Sequence, residues 1–171
     1  MMSWRLVSSL LSRLRALYWR LVYRGYRAEF DVDPLFRFNG AGAQLYGQGR
    51  ISLGPHSYIG EFSTIQAVRG CTVRIGSQTR ISHNVRIYTE TSDADTDFRS
   101  GGDCLVRADV TIGSGVWIGA NVFIGPGIDI GDNAVVGANA VVTRNIPAGE
   151  IWGGVPARQL RPKRKASERI N

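Results

Sequence analysis

Histidine and cysteine are scarce in this 171-residue chain, which carries His56 and His83, Cys71 and Cys104 and no others. Two histidines cannot supply a three-histidine zinc centre, and no Cys/His cluster exists to hold another metal. The two cysteines lack metal-like spacing; they read as inert thiols and suggest a reducing compartment. Acidic residues are missing from the start of the chain, where the first is Glu29. Long apolar runs are missing too, because arginines interrupt each one. That excludes a bilayer-spanning helix. It also argues against a secretory signal, for which no cleavage site follows. No Gly-x-Ser-x-Gly elbow and no P-loop appears. The aspartates at 93, 95, 97 and 103 lack the glycine and terminal glutamate spacing of a calcium loop.

Basic residues are plentiful. The chain has 21 Lys and Arg against 14 Asp and Glu, a net charge of +7. They gather at the two ends, so a membrane surface or a phosphate-bearing small ligand fits better than nucleic acid. Residues 3 to 24 predict a helix. Trp4, Val7, Leu11, Leu14, Tyr18 and Leu21 follow a 3–4 alternation, and Leu6, Leu10 and Leu17 widen the stripe. Arg5, Arg13, Arg20 and Arg24 lie away from it. Such a stripe suits two partners: an anionic membrane surface, or the protein's own body or sister helices in an oligomer. Residues 25 to 50 read as a lead-in that caps one end, with Asp33-Pro34 ending the helix pattern and glycines at 40, 42, 47 and 49 suggesting turns and a ragged first coil.

The dominant signal is periodic. Aliphatic residues recur every six positions at Val106, Ile112, Ile118, Ile124, Ile130, Val136 and Val142. Glycine follows five of them, and a second apolar residue sits four places after each. Neither the 3.6 spacing of a helix nor the alternation of a lone strand fits. A short strand and a turn, repeated around a coil, does. Leu53, Ile59 and Ile65, then Ile75, Ile81 and Ile87, keep the same register. The period breaks between Ile87 and Val106, and such an insertion projects from a solenoid and often carries function.

The segment from Leu53 to Arg161 resembles the hexapeptide-repeat acyltransferases. The resemblance implies an all-β fold, a left-handed parallel β-helix with an N-terminal amphipathic α-helix and a projecting loop. The related β-helical carbonic anhydrases need three zinc-binding histidines, which this chain lacks. The predicted organisation is a helix and cap at 1–50, a β-helix at 51–148 with loop 88–105, and a coenzyme-binding segment with a basic tail at 149–171. The stretch VWIGANVFIGPGIDIGDNAVVGANAVVTRNIPAGEIWGGVPARQLR is similar to the galactoside and maltose acetyltransferase branch. That likeness implies acetyl-coenzyme A as acyl donor and no metal. Trp117 and Ala120 would line the acyl and pantetheine path. Ala138 would face the pantetheine arm, and Thr143 and Arg144 would hold later parts of the coenzyme. Arg158 and Arg161 would meet its adenine or phosphates.

Acyl transfer needs a base to deprotonate the acceptor, and histidine suits that role near neutral pH. In the resembling branch a loop histidine follows a Tyr-Thr-x-Thr stretch. Here Tyr88, Thr89, Glu90 and Thr91 are followed by Ser92. The run Ile81-Ser82-His83-Asn84 resembles instead the stretch that carries the base in lipid A-type acyltransferases of the same fold. His83 is therefore the candidate base and Asp93 its carboxylate competitor. His56, placed after a different face of the coil, reads as a surface turn residue. The combined expectation is a cytoplasmic, homotrimeric acetyltransferase, O-transfer before N-transfer, acting on a sugar or lipid-linked sugar in polysaccharide assembly, at times against the inner face of the membrane. A catalytically silent β-helix scaffold is the rival.

Overall fold

The structure, a computed structural model, describes residues 4–100 and 104–164. The basic tail from residue 165 onward and Asp103 lie outside the described residues. Helix α1 (Trp4–Glu29) opens the chain and runs five residues beyond the sequence expectation. Five triangular coils follow. The first holds β1 (Asp31–Val32), β2 (Arg37–Asn39) and β3 (Gln44–Tyr46); the second holds β4 (Arg50–Leu53), β5 (Tyr58–Gly60) and β6 (Thr64–Gln66). The third holds β7 (Thr72–Ile75), β8 (Arg80–Ile81) and β9 (Arg86–Tyr88). A hairpin of β10 (Glu90–Ser92) and β11 (Leu105–Arg107) then interrupts the winding. The fourth coil holds β12 (Val110–Ile112), β13 (Trp117–Ile118) and β14 (Phe123–Ile124); the fifth holds β15 (Asp129–Ile130), β16 (Val135–Val136) and β17 (Val141–Val142). Strands β18 (Glu150–Gly153) and β19 (Arg158–Pro162) close the end.

Three faces result. The first stacks β1-β4-β7-β12-β15, the second β2-β5-β8-β13-β16-β18-β19, and the third β3-β6-β9-β14-β17. Pairing between coils is parallel throughout, and β19 returns antiparallel on β18. This is the left-handed parallel β-helix. Each inward aliphatic stacks on its equivalent one coil away: Ile59 on Ile81, Ile81 on Ile118 and Ile118 on Val136. All are buried. Full burial of one such side chain is worth about 1.5–3 kcal/mol, so the stack is the main stabilising element.

The lead-in does form a first coil, which begins at Asp31 and puts Phe36, Ala43 and Leu45 in the core. One feature departs from the sequence reading. Val106, counted as the first repeat aliphatic, is 44% exposed. It pairs with Thr91 in the hairpin, not with a neighbouring coil. The buried period starts at Val110 and Ile112. Within the insertion, β10 and β11 form an antiparallel hairpin, braced by an Arg107 Nε to Glu90 Oε2 ion pair of 2.5 Å.

The glycine after an inward aliphatic is there for close contact between coils and not for a left-handed turn. At Gly60 and Gly119 the backbone is not left-handed. A Cβ there would stand 2.7 Å from Ser82 carbon and 2.5 Å from Ala138 nitrogen in the next coil. Glycine is needed so that coils can touch. The left-handed residue comes two places later, at His56, Phe62, Gln78, Asn84, Asn121, Asn133 and Asn139. Asparagine tolerates that conformation better than most residues.

Candidate functional site

The coil geometry assigns each corner residue a job. Counting from an inward aliphatic, the next residue touches the adjoining coil, the second points its amide along the corner, and the third turns the chain. At the corner between the second and third faces, the second positions are Glu61, His83, Ala120 and Ala138, on successive coils. The register is fixed by backbone bonds from Asn84 N to Glu61 O (2.8 Å), Asn121 N to His83 O (3.0 Å) and Asn139 N to Ala120 O (2.8 Å). Three residues proposed from sequence for different jobs therefore share one line. Beside them runs an amide ladder, Asn84 Nδ2 to Asn121 Oδ1 (2.9 Å) and Asn121 Nδ2 to Asn139 Oδ1 (3.0 Å).

The equivalent line at the corner between the first and second faces shows what is unusual here. There the amide of Ser77 donates to Ser114 Oγ (3.1 Å), and the amide of Ser114 to Asp132 Oδ1 (2.7 Å). Each side chain from the next coil satisfies the amide below it. At the His83 corner the first step repeats the pattern: the amide of Glu61 donates to His83 Nδ1 at 3.1 Å. Above it the pattern stops, because alanine stands where serine and aspartate stand on the other corner. Among the described residues, the amides of His83 and Ala120 have no protein acceptor. They form an open pair of N–H donors along an exposed edge.

His83 is exposed; its carbonyl accepts from Asn121 on the coil above and its ring from Glu61 on the coil below. With Nδ1 accepting from Glu61, the neutral ring carries its proton on Nε2. Nε2 points to solvent as a donor in this arrangement.

Next to this corner lies the outer surface of the second face. One unbroken row of outward side chains crosses it: Arg37, Tyr58, Arg80, Trp117, Val135, Ile151 and Arg161 are successive register partners. An open groove of about 1580 Å³ covers this row, and His56, Gln78 and Ser82 line it too. Trp117 is 54% exposed, so it is not a packing residue of the core. Arg161 joins Trp117 here. Among the described residues, no acidic side chain lines the groove. The sequence reading missed Arg37, Tyr58 and Arg80. Their signal was their place one residue before an inward aliphatic, the same place that Trp117 holds.

Arg158 lies opposite Gly153 in β19, where the chain passes over the upper end of the His83 corner. Ala157 N bonds Val141 O and Val141 N bonds Gly154 O, which fixes this segment on the fifth coil. Thr143 and Arg144 follow β17 and sit at the opposite edge of the third face, exposed. The structure does not bring them to the His83 line. The hairpin leaves from that same far edge on the third coil. Ser92 pairs with Leu105 there. Asp93 shapes the turn, with its Oδ1 accepting from the Asp95 amide at 3.0 Å. His56 and His83 occupy different corners. Among the described residues, no His, Cys, Asp and Glu side chains gather as metal ligands would.

Comparison with known proteins agrees with this architecture. A family model described as bacterial transferase hexapeptide (six repeats) matches residues 109–144. No curated protein matches in sequence. A maltose O-acetyltransferase from Clostridium difficile 630 is 31% identical over 77% of this chain and 72% of its own, with a TM-score of 0.53. A galactoside acetyltransferase solved in complex with coenzyme A is 28% identical over 73% of this chain and 67% of its own, TM-score 0.52. AntD, an N-acyltransferase from Bacillus cereus solved with dTDP and coenzyme A, shares the fold at 17% identity, over 86% of this chain and 92% of its own, TM-score 0.65. The stacked hexads, the match across the fourth and fifth coils and these likenesses agree, and the chain belongs to the bacterial hexapeptide-repeat transferase family.

Proposed function

We propose that the protein is an acyltransferase that moves an acetyl group from acetyl-coenzyme A to a sugar. The observation that carries this reading is the open pair of amides at His83 and Ala120. A pantetheine arm carries two amide carbonyls and ends in a thioester carbonyl. Outward N–H donors along a corner, free of side-chain caps, are suited to such acceptors. Alanine at 120 and 138 leaves room for the arm to lie close. Arg158 and Arg161 stand at the upper end, where phosphates would be met by guanidinium groups. The maltose and galactoside acetyltransferases to which the chain is similar support the donor and the sugar class.

In the proposed reaction the acceptor hydroxyl or amine attacks the thioester carbonyl carbon while its proton passes to His83. The tetrahedral oxyanion is held by a backbone amide. Collapse breaks the C–S bond, and the coenzyme leaves as a thiol with the proton returned by His83. For this role Nε2 must be bare. The ring must therefore release the Glu61 amide and turn, so that the proton resides on Nδ1. A second reading follows from the same bond. If His83 keeps Glu61, it serves as an Nε2–H donor to the reacting oxygen, and Asp93 is the candidate base.

The assembly in this reading is a cytoplasmic homotrimer. The hairpin exposes Phe98, Leu105 and Val106, which need a cover that its own coil does not supply. Within one chain the hairpin and His83 lie at opposite edges of the third face, so the hairpin that closes over His83 comes from a neighbour. O-transfer is favoured by the maltose O-acetyltransferase likeness, and polysaccharide assembly is the proposed setting. Thr143 and Arg144 contact the donor only from a neighbouring copy in this arrangement. The direct test is release of free thiol from acetyl-coenzyme A over a panel of sugars, amino sugars and nucleotide sugars. Acceptor-dependent thiol supports the enzyme; none with any acceptor supports the scaffold.

A further inference from the structure

Helix α1 contributes no buried residue to the protein. Its attachment uses one side of its last turns only. Tyr23 stacks on Phe38 with ring centroids 4.2 Å apart, and its hydroxyl donates to Gly40 O (2.9 Å) and accepts from Ala43 N (3.2 Å). Burial holds the Tyr23 hydroxyl above its usual pKa, so it stays a donor. Trp19 and Tyr26 flank Tyr23, and Tyr26 packs on Phe30. Arg27 donates to Asp33 O (2.8 Å) and Phe36 O (2.5 Å).

The leucine stripe lies on the other side of the helix. At 100° per residue, Leu6, Leu10, Leu14, Leu17 and Leu21 share an arc roughly opposite the one that carries Trp19, Tyr23 and Tyr26. These leucines are between 52% and 66% exposed. The expectation that the stripe packs on the β-helix is not met: the helix docks by its aromatic side, Leu17 and Leu21 overhang an open cleft against Phe36 and Phe38 of the first coil, and Leu6, Leu10 and Leu14 face outward. Arg13, Arg20 and Arg24 border the stripe on one side, and Tyr18 stands exposed toward the other. No acidic residue occurs from Trp4 to Ala28. No helix of the described residues is long and apolar enough to cross a membrane.

We infer that α1 lies flat on an anionic lipid surface, with Leu6, Leu10 and Leu14 in the acyl boundary and the arginines among the headgroups. Charge decides between the two candidate occupants. A second copy of the same helix would bring unpaired arginines toward unpaired arginines. An anionic surface neutralises them and covers the leucines at the same time. The joint at Tyr23 and Phe38 then sets the first coil toward the lipid.

The test is flotation of the full chain with vesicles of phosphatidylcholine alone and of phosphatidylcholine with a third phosphatidylglycerol, at low and high salt. The chain should float with the anionic vesicles, less at high salt, and stay down with the neutral ones. Leu10→Ser with Leu14→Ser should abolish flotation, and Arg13→Gln with Arg20→Gln should weaken it by about thirtyfold in partition. Circular dichroism and the mass in solution should be unchanged in both. Absence of flotation by the full chain overturns the inference. So does a leucine variant that still floats. A leucine variant that loses mass in solution would instead assign the stripe to contact between copies.

Discussion

The amide of Glu61 and Nδ1 of His83 are joined across one coil at 3.1 Å. That bond sets the resting tautomer of one of only two imidazoles in the chain. It belongs to a repeated corner device, the one that ties Ser77 to Ser114 and Ser114 to Asp132 on another edge. His83 is thus the upper end of a structural ladder and the lower end of an open one. A residue at that junction is well placed to move between a resting and a working orientation.

If the bare amides of His83 and Ala120 receive the donor, capping one should block it. Ala120→Asp places a carboxylate where Asp132 stands on the other corner, within reach of the His83 amide. The lost hydrogen bond and the added charge should raise the Michaelis constant for acetyl-coenzyme A about tenfold or more. Thermal stability should hold or rise, because the new bond matches one already used in the fold. An unchanged Michaelis constant in a folded variant would move the donor elsewhere.

Arg158→Ala should also raise the Michaelis constant for acetyl-coenzyme A, with turnover nearly kept, since a phosphate contact serves ground and transition states alike. Its own bond is to the adjacent Ala157 carbonyl, at 2.9 Å, so little stability depends on it. Steady-state kinetics at saturating acceptor measure this directly.

The exposed Phe98, Leu105 and Val106 of the hairpin predict a stable assembly. Light scattering should give about three chain masses of 18.7 kDa. Leu105→Asp with Val106→Asp should shift the mass toward a single chain and lower activity with it. A single-chain mass for the unaltered protein would remove the shared site.

Much of this fold was legible in the period of six, because stacking demands the same inward residue on every coil. Ile112, Ile118 and Ile124 announce their faces in the sequence. Val106 misled because it keeps the spacing but pairs across a hairpin, and spacing alone does not report which strand is the partner. The first coil showed only through its turn glycines, and its core residues stayed hidden because Phe36, Ala43 and Leu45 are of unlike sizes. The site was less legible. Its line of amides arises from residues 37 and 18 positions apart that meet only when coils stack. Alanine at 120 matters for the side chain it lacks, which a pattern of residue types does not reveal. Of the groove row from Arg37 to Arg161, Trp117 and Arg161 were read from the sequence, but that they share one row with Arg37, Tyr58 and Arg80 shows only in the strand register.

The central claim is that His83 takes the proton from the acceptor. A positioned base is worth about 10²–10⁴-fold in rate. The decisive measurement is turnover with a working acceptor for His83→Ala, His83→Gln and His56→Ala, at saturating acetyl-coenzyme A. The account predicts that both His83 variants lose turnover by that order while still binding the donor, and that His56→Ala stays near the unaltered rate. Glutamine retaining much more turnover than alanine would assign His83 as a donor and turn attention to Asp93. Retention of more than about a tenth of turnover by His83→Ala, short of that range's lower limit, would contradict the claim.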